Sequence, residues 1–274
     1  LGSAVYQINI FVDTILASLT WVVGSGGVAA LYYANRLIQF PLGIFGIALA
    51  QAALPRMSTE FAENNIGHFK ETLSFSLRSV FLIMVPSSFG LAILGKPIIR
   101  ILFERGEFTA YSTAITQDAL FFYSFGLMAY GGVKLLATAF YSMHDTMTPV
   151  KTALGAVMLN IVLSLALMWP LKLGGLALAA SISATFNFVM LYSHLQLKIG
   201  DFGTRSIVDS FRRTLLASCF MAIVLKICSG IFSAHSVTGL LISVVSGVVS
   251  FVLACFIFDV KEVKEFVAWI ARRK

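Results

Sequence analysis

The chain has 274 residues, of which 58% are hydrophobic and only 12% charged, with a formal net charge of +7. A soluble domain carries roughly a quarter charged residues, so half the usual charge is missing. The apolar residues fall in blocks of about 20, the length that crosses a hydrocarbon layer about 30 Å thick. The chain is built for lipid.

Other classes fall away quickly. Cys219, Cys228 and Cys255 are odd in number, irregularly spaced and set in apolar blocks, which argues against a disulfide framework. His68, His144, His194 and His235 have no metal-ligand neighbour at helical or CxxC-type spacing. No GxxxxGK[ST] phosphate loop is present. Leu1 leads straight into an apolar span without an initiator Met or signal peptide, so the chain reads as part of a longer one. Backbone groups in lipid must bond internally, and these blocks are too long and unbroken for barrel strands. The expected fold is therefore all-α: a polytopic transmembrane helix bundle of about eight membrane-spanning helices.

In chain order the spans are expected at 5–23, 28–54, 75–94, 119–140, 150–169, 176–197, 215–232 and 237–258. The first carries Asp13, the only acid well inside an apolar block. The second carries Asn35, Arg36 and Gln39, followed by Pro41, Gly43 and Gly46. Pro86 and Gly90 punctuate the third, and Gly126, Gly131, Gly132 and Lys134 the fourth. Proline bends a helix and glycine permits close packing, so these positions suit either a cavity wall or a tight interface. Asn160 and Ser164 lie in the fifth, Ser181 and Ser183 in the sixth, Lys226 in the seventh. Ala30-Leu31-Tyr32-Tyr33 resembles Ala119-Leu120-Phe121-Phe122, a weak sign of an internal repeat.

The connectors alternate in charge. Thirteen basic residues fall in one set, running from Arg56, Lys70 and Arg78 through Lys151 and Lys198 to the C-terminus. Four fall in the other: Lys96, Arg100, Arg105 and Lys172. That excess places the first set and the C-terminus in the cytoplasm, and it explains the net charge without a nucleic-acid partner. The tail 259–274 is too polar to cross. Val260, Val263, Val267 and Ile270 oppose Lys261, Lys264 and Arg272, the pattern of a basic amphipathic helix on the inner leaflet or of a solvated cytoplasmic one.

Charges persist within a bilayer where they face a wet cavity or a partner. Arg36 sits eight residues into its span, about 12 Å deep. Its fork suits a phosphate or carboxylate, and an internal ion pair with Asp13 would also account for it. Asp13 and Asn160 reach similar depths from the other side. With Ser164 and Ser181 they could hold a small hard cation such as Na⁺, or simply hydrogen-bond between helices. Lys134 could serve anion binding or snorkel to the nearer interface.

The run Tyr32-Tyr33-Ala34-Asn35-Arg36-Leu37-Ile38-Gln39-Phe40-Pro41, continuing through Gly43, Gly46 and Ala48 to Leu54-Pro55, resembles the MurJ/MviN family. So do Leu102-Phe103-Glu104-Arg105-Gly106-Glu107-Phe108-Thr109 and Asp145-Thr146-Met147-Thr148-Pro149. The resemblance implies a bacterial inner (cytoplasmic) membrane protein whose relatives have two six-helix lobes and two extra C-terminal helices. Residues 1–200 would be the second lobe, 201–258 the extra pair, and 259–274 the basic tail. The missing N-terminal lobe would be the partner of this part. The implied function is translocation of lipid II, the undecaprenyl-diphosphate-linked peptidoglycan precursor, from inner to outer leaflet by alternating access.

By the same resemblance, Arg36 matches an arginine expected to bind the diphosphate in a cationic cavity, with Asn35, Gln39 and Lys134 beside it. Asp13 and Asn160 match a Na⁺ site of some relatives, whereas Ser164 stands where an acid is expected, and Ala180, with Ser181 beside it, where a threonine is. The extra helices would form a groove for the polyprenyl tail. No catalytic residue is implied, and no cofactor beyond that Na⁺. The rival readings are a multidrug or oligosaccharide-lipid exporter of the same superfamily, a membrane enzyme acting on polyprenyl substrates, and a half that only supports a partner lobe.

Overall fold

The computed structural model describes residues 2–231 and 236–263, and every regular element among them is helical. The order is α1 (Gly2–Ala17), α2 (Thr20–Val23), α3 (Gly27–Pro41), a π-helical turn (Leu42–Ile47), α4 (Ala48–Ala62), α5 (Ile66–Phe103), α6 (Ala110–Ser142), α7 (Met147–Ile199), α8 (Thr204–Ile231) and α9 (Val237–Ile257). Six of the described helices are long and apolar enough to cross a membrane, counting Gly27–Ala62 as one. The first expected span is represented by α1, whose 16 described residues end at Ala17 before a break and the short α2.

The fifth and sixth expected spans are both inside α7. As one straight rod its 53 residues would measure about 80 Å. At Lys172, however, φ is 51° and ψ −128°, which no α-helix tolerates. Gly175 then lies against the carbonyl of Leu167, although residues eight apart in a straight helix are separated by about 12 Å. The chain has reversed, and α7 is two antiparallel arms, 147–171 and 173–199. A Cβ at 175 would collide with the Leu167 backbone, so this close approach requires glycine.

Most helices run past the expected span ends because hydropathy marks only the part in lipid. Thus α5 begins at Ile66 and α4 continues beyond Pro55 to Ala62. α6 is the most enclosed span. Its glycines explain how neighbours come close: Gly126 meets Ser181, Gly131 meets Val80 and Met84, and Gly132 meets the Phe188 ring. Gly43 and Gly90 have open space around them, so close packing accounts for neither.

Connectors gather at two ends. At one, Lys198 pairs with Asp145 at 2.7 Å, the Lys70 amine lies beside Gly200, Arg213 pairs with Asp259 at 3.0 Å, and Arg78 pairs with Glu262 at 2.7 Å. At the other, Trp21 meets Trp169 at 5.6 Å and Tyr33 meets Phe103 at 4.6 Å. The basic connectors therefore share one end. α8 packs along α5 and α9. At the start of the tail Val260 and Glu262 are buried, and Glu262 turns inward to Arg78. Residues 264–274, which carry most of the expected basic face, lie outside the described residues.

Candidate substrate cavity

Helices α1, α3, α4, α6 and both arms of α7 enclose a cavity of about 800 Å³, within the range of small-molecule sites. Asp13, Asn35, Gln39, Lys134 and Asn160 all line it. A recess of about 280 Å³ between α1 and α3 is lined by Arg36 and shares Ile10, Asp13, Asn35, Gln39 and Tyr123 with the larger space. Arg36 is exposed. Its Nη2 donates to the Tyr32 hydroxyl at 2.9 Å, and the guanidinium lies 5.0 Å over that ring. Among the described residues no carboxylate pairs with it, and the ion pair with Asp13 is not formed although both groups face the recess. Most of the fork's donors are thus left to a ligand.

The α3–α4 wall owes its shape to Pro41, which has no N–H to donate. The π turn that follows adds one residue to the winding. Asn35, Gln39 and Leu42 follow helical spacing along the cavity, and Ile47, Ala50 and Gln51 return to the same wall one residue later than an unbroken helix would bring them. Gln39 Nε2 donates to Asn35 Oδ1, which fixes both amides on this wall. Lys134 faces them from α6, exposed and without a carboxylate partner among the described residues.

Asp13 anchors a network between α1 and α7. Asn9 Nδ2 donates to its Oδ2 at 3.3 Å and Asn160 Nδ2 to its Oδ1 at 3.1 Å. Asn160 also donates to Asn9 Oδ1 at 2.8 Å, and the buried Ser164 hydroxyl donates to Asn160 Oδ1 at 3.5 Å. The structure does not bring Ser181 here. Its hydroxyl donates to the Phe122 carbonyl at 2.8 Å, because one residue after the cavity-lining Ala180 the helix has turned by about 100° toward α6. Asn9, Gln51 and Asn187 line the cavity without having been picked out from sequence. The legible signal for Asn9 was its place one turn before Asp13, and for Asn187 one turn after Ser183.

This donor set does not suit Na⁺ as it stands. Asp13 is its one carboxylate, and the amides present N–H groups to both carboxylate oxygens where a cation needs further oxygens. Among the described residues no group of three or more His, Cys, Asp or Glu could hold a metal.

The family model described as Lipid II flippase MurJ matches residues 1–247. The chain belongs to the MurJ family. A probable lipid II flippase MurJ from Vibrio cholerae serotype O1 is 37% identical over 220 residues, covering 80% of this chain and 41% of that protein. One from Haemophilus influenzae is 34% identical over 227 residues, covering 80% and 44%. The chain therefore spans less than half the length of these MurJ relatives. A solved lipid II flippase MurJ in an inward closed conformation superposes with a TM-score of 0.76 at 26% identity, over 93% of this chain and 51% of that one. A MOP superfamily transporter from Pyrococcus furiosus shares the fold, with a TM-score of 0.54 at 16% identity.

Two of the three MurJ-like motifs prove to be scaffolding. In the first, Phe103 and Phe108 clasp the Tyr33 ring of α3, Gly106 makes the turn with φ 59°, and Glu104 accepts from Thr113 at 2.7 Å. In the second, Asp145 caps α7 by accepting from the Thr148 N–H at 3.0 Å and its hydroxyl at 2.9 Å. The hydrogen bond from Lys198, aided by Thr148, lowers the Asp145 carboxyl from 3.8 to about 2. The α3 motif of the MurJ pattern lines the cavity at several positions, whereas the second scaffolding motif touches it only through Pro149.

Proposed function

We propose that this chain forms the C-terminal part of a lipid II flippase and supplies one wall of the cavity through which the headgroup passes. The observation that carries the reading is Arg36: an exposed guanidinium with no carboxylate partner among the described residues, opening on a recess that shares its lining with an 800 Å³ cavity. A diphosphate can leave water only where fixed cationic donors replace its hydration, while the polyprenyl tail stays in lipid. Arg36 and Lys134 would provide those donors from two sides of this wall, with the Asn35 and Gln39 amides alongside. The length of the relatives that this chain does not cover would supply the opposing wall, and alternating access between the two would carry the headgroup from the inner to the outer leaflet of the bacterial inner membrane. No bond is made or broken, so the reading assigns no catalytic residue. The excess of basic residues in the connectors at one end supports a cytoplasmic position for that end.

The Asp13 network is read as a latch between α1 and α7. A Na⁺ there would require both amides to turn their oxygens inward, and sodium-dependent headgroup binding would restore that reading. A multidrug exporter of the same superfamily is the second reading. A cavity for cationic drugs calls for acids along its wall, and among the described residues Asp13 is the only acid lining it. Arg36→Ala in the full-length protein should abolish complementation of a flippase-depleted bacterium while the protein still inserts in the membrane. Normal growth of that variant would overturn the proposal.

A further inference from the structure

Away from the cavity, the chain that follows α9 is fastened at the basic end by two arginines. Asp259, with φ 56°, turns the chain, and the Val260 N–H closes that turn on the Cys255 carbonyl at 2.9 Å. Arg213 of α8 grips the turn through the Phe258 and Asp259 carbonyls and the Asp259 carboxylate. Glu262, three residues on, reaches the other way to Arg78 of α5. Among the described residues, this is the one ion pair that crosses between the α8–α9 pair with its tail and the rest of the bundle.

That pair is only half made. Arg78 Nη1 donates to Glu262 Oε1 at 2.7 Å, while Arg78 Nε and Glu262 Oε2 are buried without a hydrogen-bond partner. A guanidinium and a carboxylate commonly meet fork to fork, through two parallel bonds. Two buried hydroxyls of α8, Ser210 Oγ and Thr214 Oγ1, are also left over. They belong to the same seam. Phe211 stacks on Phe81 of α5 at 5.8 Å and Arg213 faces the end of α9, so at 100° per residue Ser210 and Thr214 point between the two. Ala217, next on that face, packs with Leu82, one turn beyond Arg78, and with Val260 and Val263, which bracket Glu262. Buried polar atoms without partners are costly and few in native structures, yet four gather here.

We infer that residues 259–263 form a strap with two positions, of which the structure shows the looser. In the seated position Arg78 meets Glu262 side-on, with Nε and Nη1 on the two carboxylate oxygens, and the Ser210 and Thr214 hydroxyls donate to the same carboxylate. A carboxylate accepts about four hydrogen bonds, so one glutamate satisfies the fork and both hydroxyls. Packed interfaces shift between discrete arrangements of this kind. Seated, the strap binds α8 and α9 to α5 as one body. In the looser position α9 is fastened chiefly to α8, through Arg213. The strap thereby sets whether the C-terminal pair moves with the rest of the bundle, and it holds whatever the cavity carries.

The test measures distances between two spin labels by pulsed electron resonance, on purified full-length protein in nanodiscs. One label replaces the exposed Glu71 of α5 and the other the exposed Ile257 at the end of α9, after Cys219, Cys228 and Cys255 are changed to alanine. With the strap intact, two distances should be populated, the shorter belonging to the seated position. Arg78→Lys keeps the charge but has no fork, and should reduce the shorter population at least about threefold. Ser210→Ala combined with Thr214→Val should do the same by removing both hydroxyls. Should Arg78→Lys fail to fold, the hydroxyl variant decides alone. A single distance with the strap intact, or a shorter population that is unchanged or increased in either folded variant, would overturn the strap.

Discussion

Arg36 on the cavity side of α3 and Arg213 at the basic end of α8 carry the same guanidinium into different company. Arg213 donates to Asp209 at 2.9 Å, to the Asp259 carboxylate at 3.0 Å, and to the carbonyls of Asp259 at 2.8 Å and Phe258 at 3.3 Å. Its donors are consumed in tying the end of α9 to α8. Arg36 meets one neutral tyrosine. The same contrast runs through both regions, since Arg78 is paired with Glu262 while Lys134 has no carboxylate partner among the described residues. Basic groups in the C-terminal pair hold helices together, and those on the cavity wall are without carboxylate partners among the described residues.

Exchanging the two arginines for alanine is the sharpest way to break this comparison. Arg36→Ala should eliminate growth support with an unchanged melting temperature in detergent, whereas Arg213→Ala should lower the melting temperature and retain partial growth support. Matching behaviour of the two variants would dissolve the distinction. Next in size, Glu262→Ala strands Arg78 in a mostly enclosed site and should cost about 3–5 kcal/mol of stability, read by denaturant unfolding. Replacing both partners, with Arg78→Met and Glu262→Leu, should recover most of that loss.

On the cavity side, Asn160→Ala removes donors to both Asp13 and Asn9 and should cost about 1–3 kcal/mol. Ser164→Ala breaks only the 3.5 Å bond to Asn160 and should cost about 0.5 kcal/mol in the same assay. Equal losses would show that the hydroxyl does more than brace the amide. The smallest effect belongs to the partly exposed Lys198–Asp145 pair. Its carboxyl titrates near 2 in the fold against 3.8 ordinarily, so its stabilisation is complete above about pH 4 and fades as pH falls toward 2. Lys198→Ala should therefore lower stability at neutral pH by less than about 1 kcal/mol, with the gap from wild type closing in acid.

Much of the architecture was readable because lipid imposes a length on apolar blocks, and that length exposes the helices from α3 to α9 directly. The helical extensions into water escaped notice since polar residues such as Arg56 and Glu60 interrupt the hydropathy without interrupting the helix. Within the site, Arg36, Asn35, Gln39, Lys134, Asp13 and Asn160 stood out as polar groups in an apolar setting, and all face the cavity or its recess. Ser181 was misplaced because a serine's direction depends on one step of helical rotation, which composition does not reveal. Asn187 lies at the middle of its expected span, and its oxygen without a partner among the described residues shows only in the structure.

The wide turn at Leu42–Ile47 has a consequence for how this chain tolerates change in length. Deleting one residue there would let the helix wind regularly and would remove the one-residue delay by which Ile47, Ala50 and Gln51 return to the wall. Gln51 would then keep its place on the wall, and Glu60 its place beside Thr72 of α5, which donates to it at 2.8 Å. A single-residue deletion should therefore be better tolerated inside this turn than in the regular helix on either side, where it would rotate everything downstream by about 100°.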